Sequence, residues 1–285
     1  MILITGANGN LGSLTIDHLL EKHPNQKVAG LVRSEEKGEE LKEKGVEIRI
    51  GDYYKPDTLA AAMEDVDTVL LISSSSMEDR IGQHKNVIDA AREQGVNQIF
   101  YTSIVQADKL LSPMATDHFE TEKLIKASGL KYTIYRNTFY TEFFPMFLGD
   151  ALESGEWYMP SNGQKVNFAY RSEMAEALAN GLATASEHEN NIYEITSGEA
   201  HTLVEYAQIL SKEADTEINY HDVSVEDFEA QLKEAGLPDD VVGLSVMSAK
   251  TFANGALDYT EDHLEQLLGR EPKTTKQFIK EFTSS

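Results

Sequence analysis

Short runs of Val, Ile, Leu and Tyr alternate with amphipathic stretches through the first half of the chain, the pattern of βαβ units feeding a parallel sheet. The runs predict strands at Ile2 to Thr5, Lys27 to Arg33, Val46 to Ile50, Thr68 to Ser73, Gln98 to Ser103 and Tyr132 to Asn137. Between them, Ile81, Val87, Ile88 and Ala91 recur at helical spacing from Arg80 to Gln94, and Gly95 supplies the stop. A further helix is predicted from Ala115 to Ser128, closed by Gly129. Right-handed crossovers then wind the sheet in both directions.

After Asn137 the pattern changes to an aromatic stretch, TFYTEFFPMF, and then to turn residues at Ser161, Asn162 and Gly163. It reads as a lobe over the sheet. Strands at Val166 to Ala169 and Ile192 to Thr196 are expected to rejoin the sheet around a helix from Ser172 to Thr184. Residues 1–137 thus form a sheet domain completed by 164–197, and 138–285 a small, mainly helical lobe. Thr202 with Glu205, and Thr274 with Gln277, have the spacing of capping boxes at helix starts.

The opening MILITGANGNLG puts Gly6, Gly9 and Gly12 directly after a strand and at the start of a helix. A dinucleotide loop needs glycine where the backbone turns, where it approaches a pyrophosphate, and where helix and strand pack closely. Asn8, Asn10 and Leu11 complete the TGAxGxLG form of the short-chain dehydrogenases, which makes a simple tight turn the weaker reading. The fold class is therefore α/β, a Rossmann-type doubly wound parallel sheet with a C-terminal substrate lobe.

After the second strand, where an acidic residue would hold the ribose hydroxyls of NAD, the chain has Arg33 followed by Ser34. A cation there favours the 2′-phosphate, so NADPH is the expected cofactor and NADH the alternative. Asp52 and Tyr53 are placed to border the adenine, although Asp52 reads equally well as a turn residue. Ser73 and Ser74 end the fourth strand on the sheet edge where ligands of open α/β folds bind, facing the ribose or the nicotinamide.

Net charge narrows the partners. With 48 acidic against 25 basic residues the chain carries −23, a field that repels nucleic acid and anionic membrane surfaces. It has no cysteine, which removes disulfides and thiolate chemistry, and its eight histidines lack metal-ligand spacing, so no metal is expected. The first strand begins at Met1, and no apolar run approaches the ~18 residues of a membrane span, so the expected location is cytoplasmic. Helical faces in the lobe fit a monomer or a homodimer equally.

TGANGNLG, LVRS, GDY at 51 to 53, LLISSS, QHKNVIDAA, YTS at 101 to 103, HFETEK at 118 to 123, YRNTFYTEFF and GLPD at 236 to 239 form a series. The series resembles the NmrA-like atypical short-chain dehydrogenases, nearest to their bacterial quinone oxidoreductase and triphenylmethane reductase branch. That resemblance implies an NADPH-dependent reductase. It also implies that Lys123 bonds the nicotinamide ribose and that Thr102, Ser103 and Asn137 line the nicotinamide end.

Typical short-chain dehydrogenases pair a tyrosine with a lysine four residues on, and the lysine tunes the phenol for proton transfer. Here Phe119 stands four residues before Lys123, so the usual acid is absent, while Ser103 and Lys123 keep the other catalytic positions. Reducing a ketone makes a strongly basic alkoxide. Reducing a quinone makes a stabilised phenolate, and hydride simply neutralises a cationic dye, so the loss points to flat electrophilic acceptors held by proximity and orientation. Phe139, Tyr140, Phe143, Phe144, Phe147, Trp157 and Tyr158 divide between core and a stacking surface for such a small aromatic acceptor, with Tyr140 a candidate substitute donor. His118 and Glu122, an i,i+4 pair, read as a surface hydrogen bond, and His84 as packing or capping. The rival reading is a non-catalytic NADP(H)-binding redox sensor, with an epimerase-like or isoflavone-reductase-like enzyme third.

Overall fold

The computed structural model describes residues 1–76 and 78–284. The chain divides into two compact units: residues 1–104, 117–137 and 172–193 form the first, and 105–116, 138–171 and the residues from 194 onward the second.

Along the first part of the chain run β1 (Ile2–Ile4), α1 (Asn10–Lys22), β2 (Val28–Val32), α2 (Glu39–Glu43), β3 (Glu47–Ile50), α3 (Pro56–Ala62), β4 (Thr68–Leu71), α4 (Arg80–Glu93), β5 (Gln98–Ile104), α5 (Ala115–Ala127) and β6 (Lys131–Asn137). The sheet has seven strands in the order Asn191–Ile195, β6, β5, β4, β1, β2, β3. Neighbours among β1 to β6 pair in parallel, and helices cover both faces. The strand order reverses between β1 and β4, which places a crevice at the carboxyl ends of those strands.

The sequence pattern has a direct physical cause here. Every residue of β1, β2, β4 and β5 is buried, so these strands read as continuous apolar runs, whereas edge strand β3 is half-exposed and carries Glu47 and Arg49. On one face Leu3, Val69, Leu71, Ile99 and Ile134 pack with Leu59, Met63, Val87 and Ile88. Asp79 caps α4 by accepting from Gly82 N at 3.2 Å. Gly95 and Gly129 take left-handed φ of +72° and +83° just past α4 and α5, the conformation that lets the chain leave a helix.

The second unit is built around aromatic side chains. The Phe144 ring lies 5.9 Å from Trp157, 5.7 Å from Phe168, 5.2 Å from Tyr206 and 5.6 Å from Phe278, so Phe144 and Trp157 are core, as is Phe147. Both expected capping boxes form, Thr202 with Glu205 and Thr274 with Gln277.

One expected strand is redirected. Ile192 to Thr196 joins the sheet as Asn191–Ile195, but the Val166 to Ala169 segment does not. It breaks at Asn167: Lys165–Val166 pairs with His201–Thr202, and Phe168–Ala169 pairs with Phe139–Tyr140. The cause is the fully buried Asn167, whose amide donates to Ser197 Oγ and the Glu199 carbonyl and whose backbone N–H donates to Leu257. Among the described residues no helix is long and apolar enough to cross a membrane.

Candidate functional site

The glycine loop joins β1 to α1. Gly6 has φ +58°, a left-handed conformation that a side chain strains, and its carbonyl accepts from Gly9 N at 2.9 Å. A Cβ on Gly12 would collide with the Gly6 carbonyl oxygen and sit 3.0 Å from Ala7 Cα, so strand and helix approach only because that atom is missing. Helix α1 begins at Asn10 behind Gly9, with no side chain capping its first turn. Its N–H groups and the positive end of its dipole are thus left for an external anion. Asn8, Gly9 and Asn10 are exposed, while Leu11 is buried and anchors the helix.

Arg33 follows β2, is exposed, and makes no hydrogen bond or ion pair among the described residues. By contrast, Asp52 and Tyr53 are committed to the fold. Asp52 Oδ1 accepts from Tyr54 N at 3.1 Å and its carbonyl from Lys55 N at 2.8 Å, the geometry of a turn residue. The Tyr53 hydroxyl ties Thr5 to the Ile72 carbonyl, joining the ends of β1 and β4, and burial pushes that phenol well above its ordinary range.

The ends of β4 and β5 are locked together. Ser73 N donates to Thr102 Oγ1 at 2.9 Å, and Ser74 Oγ to Gln83 Oε1 at 2.9 Å. Ser74 N donates to His84 Nε2 at 2.9 Å, which leaves the ring proton on Nδ1 to donate to Thr121 Oγ1, also at 2.9 Å. The sequence gives His84 a packing or capping role. Its further part is to fix the Ser74 backbone in one position. Nearby, Tyr101 Oη and His118 Nδ1 are 2.8 Å apart in the interior. Burial first, then the Arg80 charge, lowers His84 and His118 to about 3, so both rings are neutral.

His118 and Glu122 are therefore not a surface pair. Both side chains are buried, and helix α5 turns them to different partners. Glu122 accepts from Ser103 Oγ at 2.7 Å, from Arg136 Nε at 2.9 Å and from Arg136 Nη2 at 2.8 Å. The signal for this pair was Arg136 itself, since a cation inside a buried strand requires a carboxylate. Ser103 spends its proton on Glu122, so its oxygen is left as an acceptor. Lys123, 52% exposed, reaches Glu120 at 2.7 Å and lies 4.4 Å from the Phe119 ring centroid, so the expected tyrosine position is a ring without a hydroxyl. At the end of β6, Asn137 is 6% exposed and its Oδ1 has no hydrogen-bond partner, an acceptor that a bound amide or hydroxyl would satisfy.

Tyr140 belongs to the second unit, where its ring lies 5.5 Å from Phe143 and 4.6 Å from the Arg171 guanidinium carbon. Phe143 and Tyr158 remain about two-fifths exposed, at 40% and 42%. Among the described residues no group of three or more His, Asp or Glu is placed to hold a metal ion.

Comparison with known proteins gives a consistent set of likenesses. The model of the NmrA-like family matches residues 1–283. Quinone oxidoreductase 2 of Escherichia coli (strain K12) is 36% identical over 275 residues, 96% of each chain. The solved structure of Citrobacter sp. triphenylmethane reductase complexed with NADP(H) is 36% identical with a TM-score of 0.92, over 99% of each chain. That of an NADPH-dependent quinone oxidoreductase from Escherichia coli complexed with NADPH is 35% identical with a TM-score of 0.91, over 100% of this chain and 99% of that one.

Proposed function

The chain belongs to the NmrA-like family, and on that premise we propose that it is an NADPH-dependent reductase whose acceptor is a quinone or a similarly flat electrophile. The observation that carries the cofactor reading is the Gly6 to Gly12 cradle, which any Cβ at Gly12 would fill and which ends at an uncapped helix N-terminus. Asn10, Leu11 and Gly12 would hold the pyrophosphate by backbone N–H groups, with the Gly9 N–H kept for the Gly6 carbonyl, Arg33 would hold the 2′-phosphate, and Ser73, Ser74 and Thr102 would wall the nicotinamide half. Asn137 Oδ1 and Ser103 Oγ offer acceptors to the carboxamide and ribose, and Lys123 is the cation assigned to the nicotinamide ribose.

When bound, NADPH supplies a hydride, which brings two electrons to the acceptor. A quinone then needs one proton besides to become the hydroquinone, and solvent provides it because the anion formed is resonance-stabilised. The chain contributes orientation and water exclusion at the sheet edge, with no phenol at Phe119 to act as acid. The absent tyrosine also suits a dinucleotide sensor without turnover, and turnover separates the two.

Two expected outcomes follow. Arg33→Ala weakens NADPH about 10- to 100-fold, the worth of charge-assisted hydrogen bonds to a phosphate, and leaves NADH within about threefold. Titration of the two cofactors by fluorescence checks this, and equal losses for both would remove Arg33 from the 2′-phosphate. Phe119→Tyr rebuilds the tyrosine-lysine pair yet leaves naphthoquinone reduction within about threefold, because no acid is needed. A rise of more than about tenfold, the lower range of general acid catalysis being about 100-fold, would show that proton donation limits the reaction after all.

A further inference from the structure

Buried charge in the first unit gathers on one carboxylate. Glu122, fully buried on α5, is held by Arg136 of β6 through Nε at 2.9 Å and Nη2 at 2.8 Å, and Lys126 Nζ stands 3.7 Å from it. Neither hydride transfer nor the glycine cradle calls on any of the three. A buried ion pair adds little net stability over apolar side chains of the same size, so what it holds in place is the more informative feature. Besides the two cations, it holds Ser103 Oγ, 2.7 Å from Glu122.

A serine hydroxyl has one hydrogen and two lone pairs. A carboxylate that binds a guanidinium with both oxygens has no hydrogen to offer, so the hydrogen in the 2.7 Å contact is the serine's own. Ser103 therefore presents only lone pairs to whatever lies beyond it, and no donor among the described residues reaches them. It lies one residue from the carboxyl end of β5, next to β4 and the edge where ligands of such sheets bind. Its register partner is Arg136, whereas Asn137 pairs with Ile104 and falls on the opposite face of the sheet, so that second acceptor does not duplicate it.

An acceptor of this kind needs a ligand that donates. A quinone carbonyl and a dye cation have no hydrogen to give, which leaves the cofactor. Its nicotinamide ribose has Lys123 assigned to it, and the group with hydrogens still to place is the carboxamide. We propose that Glu122, locked by Arg136, is a positioning residue: it makes the Ser103 hydroxyl a fixed acceptor for the carboxamide N–H and so sets the nicotinamide ring for hydride transfer. The inference rests on the cofactor assignment and deepens it, naming the residue behind Ser103 and the group in front of it.

The test is calorimetric binding of NADP⁺ and of its 3-acetylpyridine analogue, in which a methyl ketone replaces the carboxamide and no N–H remains. Ser103→Ala is expected to lower the preference for NADP⁺ over the analogue about tenfold, the worth of one hydrogen bond to a buried acceptor. Ser103→Thr keeps a hydroxyl on Glu122 and restores the preference to within about threefold of wild type. Glu122→Leu combined with Arg136→Met removes both charges together, a replacement that buried pairs tolerate. The freed Ser103 hydroxyl then donates to the acetyl oxygen, and the preference falls as it does in Ser103→Ala. Glu122→Gln, which exchanges one acceptor oxygen for N–H donors, lowers it in the same direction with a single change. A merely structural role would weaken both dinucleotides alike and leave their ratio in place. A ratio indifferent to Ser103, or one lost in Ser103→Ala yet unchanged in the Glu122 variants, overturns the positioning role alone. Failure of the wild type to bind either dinucleotide overturns the cofactor reading and the inference with it.

Discussion

Gly12→Ala is expected to weaken NADPH binding about 100-fold, equivalent to about 3 kcal/mol, the upper range for forcing a methyl group into a packed site. The added Cβ meets backbone, the Gly6 carbonyl oxygen and Ala7 Cα, not the movable end of a side chain. Relief therefore requires the loop or the first turn of α1 to shift, and either shift moves the N–H groups that face the pyrophosphate. Gly243→Ala is the matched control. Gly243 lies in the helix Asp239–Ala253 with nothing within 4 Å of a built Cβ, so alanine there leaves affinity unchanged and adds up to about 1 kcal/mol of stability through helix propensity. Unaltered NADPH affinity in Gly12→Ala, measured by calorimetry, would detach the cofactor from this loop.

The second large effect is loss of stability in mild acid. His84 and His118 are neutral in the fold, lowered to about 3 from an ordinary 6.5. Above pH 6.5 neither the folded nor the unfolded chain protonates them, so their full contribution is present. As the pH falls below 6.5 the unfolded chain takes up two protons that the folded chain refuses, and stability drops until the folded rings titrate near 3. Between about pH 7 and about pH 5 the two groups together remove about 4 kcal/mol. Urea unfolding across that interval reads the slope. His118→Phe halves the part of the slope due to this pair, whatever it does to stability at neutral pH, and an unchanged slope would show that His118 is protonated in the fold. The first segment to respond should be Ser73 and Ser74, since a protonated His84 cannot accept from the Ser74 N–H.

The central sheet was legible because buried parallel strands leave a plain record: β1 to β6 fall within one or two residues of the apolar runs, and Gly95 and Gly129 mark both predicted helix ends. The glycine loop was legible for a related reason, since backbone approach leaves no choice of residue. What the pattern did not carry was partner choice. Arg136 sits in a β-rich run and Glu122 on an amphipathic helix, and only the packing of α5 against β5 and β6 reveals that they neutralise each other and that Glu122 also accepts from Ser103 Oγ. Tyr53 has the position of a residue bordering a cofactor, yet its hydroxyl closes the gap between Thr5 and Ile72. Asn167 splits a run that reads as one strand, because a buried side chain that donates to Ser197 Oγ and the Glu199 carbonyl and accepts from Ser197 N outweighs the β propensity around it. The aromatic segment is expected to divide between core and open surface, but its pattern does not say which ring goes where; the structure puts Phe144, Phe147 and Trp157 in the core and leaves Tyr140, Phe143 and Tyr158 more open.

The most direct test of the account is stopped-flow oxidation of NADPH by naphthoquinone in the presence of the protein, with protein-free and quinone-free controls, repeated with NADPH deuterated at the transferring carbon. The account predicts saturable turnover well above the uncatalysed rate, one hydroquinone formed per NADPH consumed, and a slower hydride step with the deuterated cofactor. Tight binding of NADPH with no oxidation above the controls, for neutral and sulfonated quinones alike, would contradict it and leave a dinucleotide sensor in its place.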